Sequence, residues 1–406
     1  MLTNFNLDNF IRQYVVKRDQ SLLVSDFQKY NSELKQRINH KKVLVIGGAG
    51  TIGSNYIKAI LKFNIDKLVV VDINENGLTE LVRDLRSSTE YNIPDDFITY
   101  PVNFGDRVFE KIFKAHGPFH IVANFAAHKH VRSEKDIFSI EAMIENNVLR
   151  ARKLLDLLLQ FPPEHFFCVS TDKAANPVNV MGASKKLMEE LIMAYADRLP
   201  IKTARFANVA FSNGSLPLGF LDRLSKKQPW SCPLGIRRFF VSPQESGELC
   251  LMASIMGESG DIFFPKLDEE KDMIPFDEVA LNLLNALGLN ADICKSEAEA
   301  RQKATQLSQN ITSYPIYLFE SDTSGEKSFE EFFTEKEVLD LDRFINLGVV
   351  KNSKKRKTEE IDTIFERLNQ LFETKDIKKE AVVHVLKEYL PNFAHIETGK
   401  GLDSKM

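Results

Sequence analysis

Cysteine is scarce: four residues in 406, Cys168, Cys232, Cys250 and Cys294, with no Cys-x-x-Cys pair among them. That spacing argues against a disulfide framework and against a zinc knuckle, and it predicts buried thiols. Long apolar runs are missing too. No window of about 18 uninterrupted apolar residues occurs, and the opening MLTNFNLDNFIRQYVVKRDQ mixes charge into every apolar stretch, so no membrane contact and a cytoplasmic location are expected. Basic charge is not in excess either. With 53 Lys+Arg against 57 Asp+Glu the formal charge is −4, which argues against nucleic acid as a partner. No repeat of about 20 to 50 residues is visible. What is present, 43% hydrophobic and 27% charged residues, is an ordinary globular balance suited to small-molecule chemistry. The length allows two or three domains, or one large α/β unit with extensions.

Residues 1–40 place Phe10, Ile11, Tyr14, Val15, Leu22, Leu23, Phe27 and Tyr30 at helical spacings among charges, which predicts a helical N-terminal extension. From Lys41 the character changes. KKVLVIGGAG reads as a buried parallel strand ending in glycines, and TIGSNYIKAILKF as the helix that follows. DKLVVVD, FITYPV, FHIVANFAA and HFFCVST continue as strands, with helical stretches such as SIEAMIENNVLRARKLLDLLLQ between them. This alternation predicts an α/β fold, a doubly wound parallel sheet of the Rossmann type over 41–205, joined by a later strand near 261–267. Residues 206–340 would form a smaller substrate-binding region and 341–406 a helical C-terminal extension. The basic run KNSKKRK at 351–357 reads as a solvated loop, and ETGKGLDSKM as a frayed end.

Gly47, Gly50 and Gly53 form a G-x-x-G-x-x-G turn between the first strand and its helix, where a dinucleotide pyrophosphate would meet backbone N–H groups and the positive end of the helix. Asp72 ends the next strand, about twenty residues on, as ribose recognition requires. Its carboxylate would accept hydrogen bonds from ribose hydroxyls and repel a 2′-phosphate, so NAD is expected over NADP. Arg83 and Arg86 read as exposed helix charges.

At the end of the fifth strand stand Ser170, Thr171, Asp172 and Lys173, followed by Met181-Gly182-Ala183-Ser184-Lys185. Ligands bind beyond the carboxyl ends of strands in such sheets, so a hydroxyl, an acid and a base arrive together there. Taken together, GGAGTIGS, NFAAHKHV, STDKAANPVNVMGASK, RFANVAFSNGS and RRFFVSPQES resemble the extended short-chain dehydrogenase/reductase superfamily, and within it the nucleotide-sugar 4,6-dehydratases of polysaccharide biosynthesis, over residues 41–335.

The resemblance implies a lyase acting on a nucleotide-linked N-acetylhexosamine such as UDP-N-acetylglucosamine. In that chemistry NAD takes a hydride from C4, the ketone acidifies the C5 proton, the C6 hydroxyl leaves as water, and the hydride returns to C6. Thr171 would help deprotonate the C4 hydroxyl, Lys173 would act at C5, and Asp172 would protonate the leaving hydroxyl. For this, Lys173 must be available as the amine and Asp172 protonated when needed, which calls for partial burial. The superfamily's Tyr-x-x-x-Lys signature has Met181 at the tyrosine position, with Lys185 four residues on. Dehydratases that resemble this chain place Met there, which favours retention at C5, whereas its lack of a proton site disfavours an epimerase. The other alternative is a dinucleotide-binding regulator without catalysis.

The resemblance further assigns Gly47, Gly50, Thr51, Ile52, Gly53, Asp72, Ala126, Ala127, Lys129 and Lys185 to the cofactor, and Lys129, Asn208, Ser215 and Arg238 to the substrate. Thr323 stands where relatives carry a diphosphate-binding arginine, which leaves Arg237, Arg238 and Lys327 as candidate replacements. His128 and His130 are a weak metal signal, and no metal is expected. Members of the superfamily pair through two helices, here 138–160 and 181–198, whose apolar residues Met143, Leu154, Leu157, Leu158, Leu187, Leu191 and Tyr195 suggest a homodimer or larger assembly, although packing on the sheet accounts for part of them.

Overall fold

The computed structural model describes residues 5–308, 311–320, 331–351 and 355–397, with the side chains of 132 and 133 left aside. Its strands are Lys42–Ile46 (β1), Lys67–Asp72 (β2), Asp96–Pro101 (β3), Ile121–Asn124 (β4), His165–Val169 (β5), Ile201–Ala204 (β6), Asn208–Val209 (β7), Trp230–Pro233 (β8), Arg237–Val241 (β9), Asp261–Pro265 (β10), Met273–Pro275 (β11), Asn290–Cys294 (β12), Ser313–Phe319 (β13), Val338–Asp340 (β14) and Leu347–Lys351 (β15). Nine of them make one sheet in the order β14-β15-β10-β6-β5-β4-β1-β2-β3. The seven from β10 to β3 run parallel, and β15 and β14 add an antiparallel edge. The continuous apolar runs of β1, β2, β4 and β5 are buried because helices cover both faces of the sheet. Strand order reverses between β1 and β4, which opens a crevice at their carboxyl ends.

On one face the helices Thr51–Ile60 and Pro243–Met256 cross very closely: a Cβ on Gly247 would lie 2.2 Å from the Asn55 backbone. Two short sheets, β11-β9-β7 and β12-β13-β8, belong to the smaller lobe, which has its own apolar core around Phe220, Trp230, Leu283 and Ile316. The N-terminal extension joins that core through Phe10, whose ring meets Phe211 edge-on at 5.8 Å. Arg18 anchors it to Glu245 at 3.0 Å and Asp272 at 3.1 Å.

Three local readings change. The long helix predicted before β5 is divided: Ile137–Ile144 and Arg150–Gln160 are α-helical, and Glu145–Leu149 between them is a π turn. The segment beyond 341 contains the edge strand β15 as well as the helices Thr358–Phe372 and Lys379–Tyr389. Three cations of the basic run are ion-paired, Lys351 with Glu258 and Asp261, Lys355 with Asp197 and Arg356 with Glu190, so the run helps pin the C-terminal helices to the body, although Lys355 and Lys357 are exposed as expected of a solvated loop. Its residues 352–354 lie outside the described set, as does the expected frayed end beyond 397.

The apolar residues weighed for a dimer face, Met143, Leu154, Leu157, Leu158, Leu187, Leu191 and Tyr195, are all buried within the single chain. Packing inside one subunit therefore accounts for them. All four cysteines are buried thiols. Among the described residues no helix is long and apolar enough to cross a membrane.

Candidate active site

Glycines shape one wall of the crevice. Gly47 has a φ of +77°, and a Cβ on it would lie 2.5 Å from the Ala126 amide nitrogen; a Cβ on Gly53 would come within 2.2 Å of the Gly47 carbonyl. The turn after β1 therefore lies flush against the turn after β4. The helix Thr51–Ile60 starts from Gly50 with no side-chain cap, so its first amides can serve an anion. Asp72 braces this turn, with Oδ2 accepting the Ala49 N–H and Oδ1 the Asn74 N–H, both at 2.9 Å. Each oxygen keeps a lone pair for a ribose hydroxyl. Ile52 and Ala126 pack on the main core behind the cradle, and Ala127 is half-buried beside it. These residues fit a dinucleotide.

Two further residues tie the cradle to the substrate lobe. Thr51 Oγ1 accepts the Asn213 N–H at 2.9 Å, and the Lys129 ammonium donates to the Asn213 carbonyl at 2.9 Å. Lys129 remains solvent-accessible, yet desolvation by the surrounding protein lowers its pKa. Asn213 thus bridges both turns.

Beyond β5 a single atom gathers the chemistry. Asp172 Oδ1 accepts from the Thr171 hydroxyl at 2.8 Å, the Lys173 N–H at 2.8 Å and the Lys173 ammonium at 3.1 Å. Asp172 is 3% exposed, and the Lys173 side chain retains 20% exposure, so the acid is enclosed and the amine can reach the crevice. Met181 is buried at the start of the helix Val180–Met193, which Asn179 caps by accepting the Gly182 N–H at 2.8 Å. Gly182 matters for closeness: a Cβ there would lie 2.7 Å from the Lys173 carbonyl oxygen.

Lys185 lies directly behind this group, buried, with its ammonium donating to the Val169 carbonyl at 2.7 Å. Desolvation lowers its pKa against the opposing pull of Cys168 and Glu189. Ser170 donates to Glu189 at 2.6 Å, and Glu189 receives Arg205 at 2.7 Å, which also binds Glu337 at 2.9 Å. Desolvation works against the Glu189 charge, but the Arg205 guanidinium prevails and brings the carboxyl down to about 2. This buried ion network underlies the Thr171–Lys173 turn.

The proposed substrate residues lie on the facing lobe. Asn208 on β7 pairs in register with Phe240 on β9, two residues beyond Arg238. Among the described residues Asn208 Nδ2 is buried without a partner, as are Trp230 Nε1 and Ser231 Oγ, and an orphaned donor suits a polar ligand. Ser215 caps the helix Leu216–Ser225. Arg238 is buried and donates to the Arg237 carbonyl at 2.8 Å, while the exposed Arg237 donates to the Glu269 carbonyl at 3.0 Å. Thr323 and Lys327 lie outside the described residues.

Sequence reasoning passed over Asn147. It sits in the π turn, where its side chain accepts the His128 N–H at 2.8 Å and donates to the His128 carbonyl and to Ser184 Oγ, each at 3.0 Å. It thereby joins the turn that carries Lys129 to the helix Val180–Met193. The available signal was two adjacent asparagines, poor helix formers, inside an otherwise strongly helical run.

A family model described as polysaccharide biosynthesis protein matches residues 43–351. Among curated relatives, an uncharacterised membrane protein of Methanocaldococcus jannaschii is 31% identical over 319 residues, covering 76% of this chain and 85% of that one. The probable polysaccharide biosynthesis protein EpsC of Bacillus subtilis is 28% identical over 264 residues, 64% of this chain but only 43% of its own length. The inverting UDP-N-acetylglucosamine 4,6-dehydratase of Campylobacter jejuni is 27% identical over 57% of this chain and 69% of that one, and the UDP-glucose 4-epimerase of Rickettsia typhi 32% identical over 56% and 66%.

In fold the chain is similar to Pen from Bacillus thuringiensis, with a TM-score of 0.61, 19% identity and coverage of 79% and 90%. It is also similar to the dTDP-glucose 4,6-dehydratase DesIV from Streptomyces venezuelae, with a TM-score of 0.55, 16% identity and coverage of 81% and 97%. The match over three quarters of the chain, on a sheet that reverses its order at a glycine-rich turn, makes this protein a member of the polysaccharide biosynthesis protein family, built on the extended short-chain dehydrogenase/reductase fold.

Proposed function

We propose that the chain catalyses 4,6-dehydration of a nucleotide-activated N-acetylhexosamine, UDP-N-acetylglucosamine to the UDP-4-keto-6-deoxy sugar, with retention at C5 and with NAD as the resident cofactor. The reading includes a cytoplasmic location, a homo-oligomer, and a role in making cell-surface polysaccharide. Its main support is the convergence of Thr171 and Lys173 on one oxygen of a buried aspartate, beside a methionine that cannot carry a proton.

Gly47, Gly50, Gly53 and Asp72 would hold NAD, which when bound accepts a hydride from C4 and returns it to C6. The chain's own residues account for the protons. The C4 hydroxyl gives its proton to Thr171 Oγ1 as the threonine passes its own to Asp172 Oδ1 along the 2.8 Å hydrogen bond. Lys173, as the free amine, removes the C5 proton once C4 is a ketone. Asp172, now protonated, gives that proton to the C6 hydroxyl, which departs as water. Lys173 then returns its proton to C5 on the face from which it was taken, so configuration is kept. Asp172 ends as the carboxylate and Lys173 as the amine, ready for another cycle. Inversion would need a second acid on the opposite face, and Met181 supplies none.

The test is to incubate purified protein with UDP-N-acetylglucosamine and follow it by mass spectrometry, with C5 configuration read by NMR. A product lighter by one water, with C5 unchanged, is expected. An isomer of unchanged mass would make the protein an epimerase, and no conversion of either UDP- or GDP-linked sugars would favour a non-catalytic regulator.

A further inference from the structure

The six residues that separate Lys173 from Val180 link the Lys173 amine to the helix Val180–Met193, and they are held from outside. Glu134, five residues after Lys129, accepts the Val180 N–H through Oε2 at 2.7 Å, at the start of that helix. Its other oxygen, Oε1, receives His395 and the Lys379 ammonium, the latter at 3.0 Å. The tail itself is laid against the same segment: the Ala394 N–H donates to the Pro177 carbonyl at 3.0 Å and the Ile396 N–H to the Val178 carbonyl at 2.9 Å. Lys379 also reaches Glu397 at 2.5 Å. Glu134, His395 and Glu397 could by their donor atoms surround a metal ion, but the Lys379 ammonium already pairs with both carboxylates.

Glu134 is buried, and although desolvation opposes its charge, hydrogen bonds from His395, Val180 and Lys379 keep its carboxyl ionised and its pKa low. One carboxylate thus joins the Lys129 turn, the head of the catalytic helix and a tail more than two hundred residues downstream. A side chain bound so fully moves only with all its partners.

We propose that Glu134, with His395 and Lys379, forms a positioning clasp by which the C-terminal tail holds the 174–180 segment, and so the Lys173 amine, in register with the crevice. None of the three is a catalytic residue. This inference rests on the dehydratase reading of the site.

The experiment uses full-length His395→Ala, Lys379→Met and Lys379→Arg, each purified with whatever dinucleotide it retains. His395→Ala and Lys379→Met are expected to lower kcat about tenfold, since small displacements of a reacting group carry costs of that order or more. KM for the nucleotide sugar and the dinucleotide content should stay within about twofold, while Lys379→Arg, which keeps the charge, restores most of the rate. Unchanged kcat overturns the proposal, and so does a kcat loss that merely follows lost cofactor or lowered melting temperature. If wild type converts no nucleotide sugar, the dehydratase reading fails on its own, and amide hydrogen exchange then decides the clasp. Faster exchange confined to 174–183 in His395→Ala and Lys379→Met supports it, and exchange as in wild type refutes it.

Discussion

The side chains proposed to handle protons at the end of β5 have separable consequences. Lys173→Ala or Asp172→Ala is expected to lower kcat at least about a hundredfold, because each removes the general base or acid of the proposed mechanism, and steady-state assays with nucleotide sugar measure it. A second residue-scale prediction concerns stability, away from the crevice. His165 and Lys202 meet at 3.2 Å, both buried, and desolvation pushes the imidazole down to about 3 and the ammonium down to about 8. Below the ordinary histidine value of 6.5 the unfolded chain takes up a proton that the folded protein refuses until about 3, so stability is lost as the pH is lowered through that window. From about 8 to 10.5 the buried lysine is neutral while its unfolded counterpart is charged, so stability rises with pH there. Urea midpoints across this range should therefore be level between about 6.5 and 8 as far as this pair is concerned, and His165→Gln should flatten the acid limb. A wild-type acid limb that His165→Gln leaves unchanged would show that other groups set it.

The elements differ in how far their sequences disclose them. The strands β1, β2, β4 and β5 were legible because both faces are covered and the apolar run is unbroken. The cradle was legible because only glycine tolerates backbone 2.5 Å from where its Cβ would be. The π turn was not, since one extra residue per turn leaves the composition of a helix unchanged, and Asn147 acquires its role only from the resulting shift in facing. Arg205 was equally hidden: its partners Glu189 and Glu337 come from segments whose meeting depends on the edge strands. Two glycines give predictions at this scale. Gly47→Ala, strained by its positive φ and blocked by Ala126, should leave the fold formed but abolish dinucleotide retention, measured by HPLC of the denatured supernatant. Gly182→Ala forces the Lys173 carbonyl aside, which should cost about 1–3 kcal/mol of stability and at least about tenfold in kcat. Normal turnover in Gly182→Ala would mean that the turn relaxes without moving the amine.

Across the whole molecule, the C-terminal helix pair completes the body. Ile361, Ile364, Leu368 and Val382 are fully buried in the main core, and the ion pairs Arg152–Asp362 and Arg356–Glu190 fasten the pair to the helices Arg150–Gln160 and Val180–Met193. Ile361→Asp should therefore cost about 3 kcal/mol or more by burying a lone charge, and the apolar faces it uncovers should raise the mass seen by light scattering. Unaltered melting and mass would mean that the pair is dispensable. Long-range contacts of this kind leave no local mark in a sequence, which is why the extension was legible as helices but its contact with the 177–178 segment was not. The pairing of Ala394 and Ile396 with Pro177 and Val178 also orders events in time. On the ribosome the strands through β6 can assemble early, yet the Pro177–Val178 segment waits without its partners while more than two hundred further residues are made, so on the proposed reading a nascent chain stalled before its tail would hold its dinucleotide but turn over slowly.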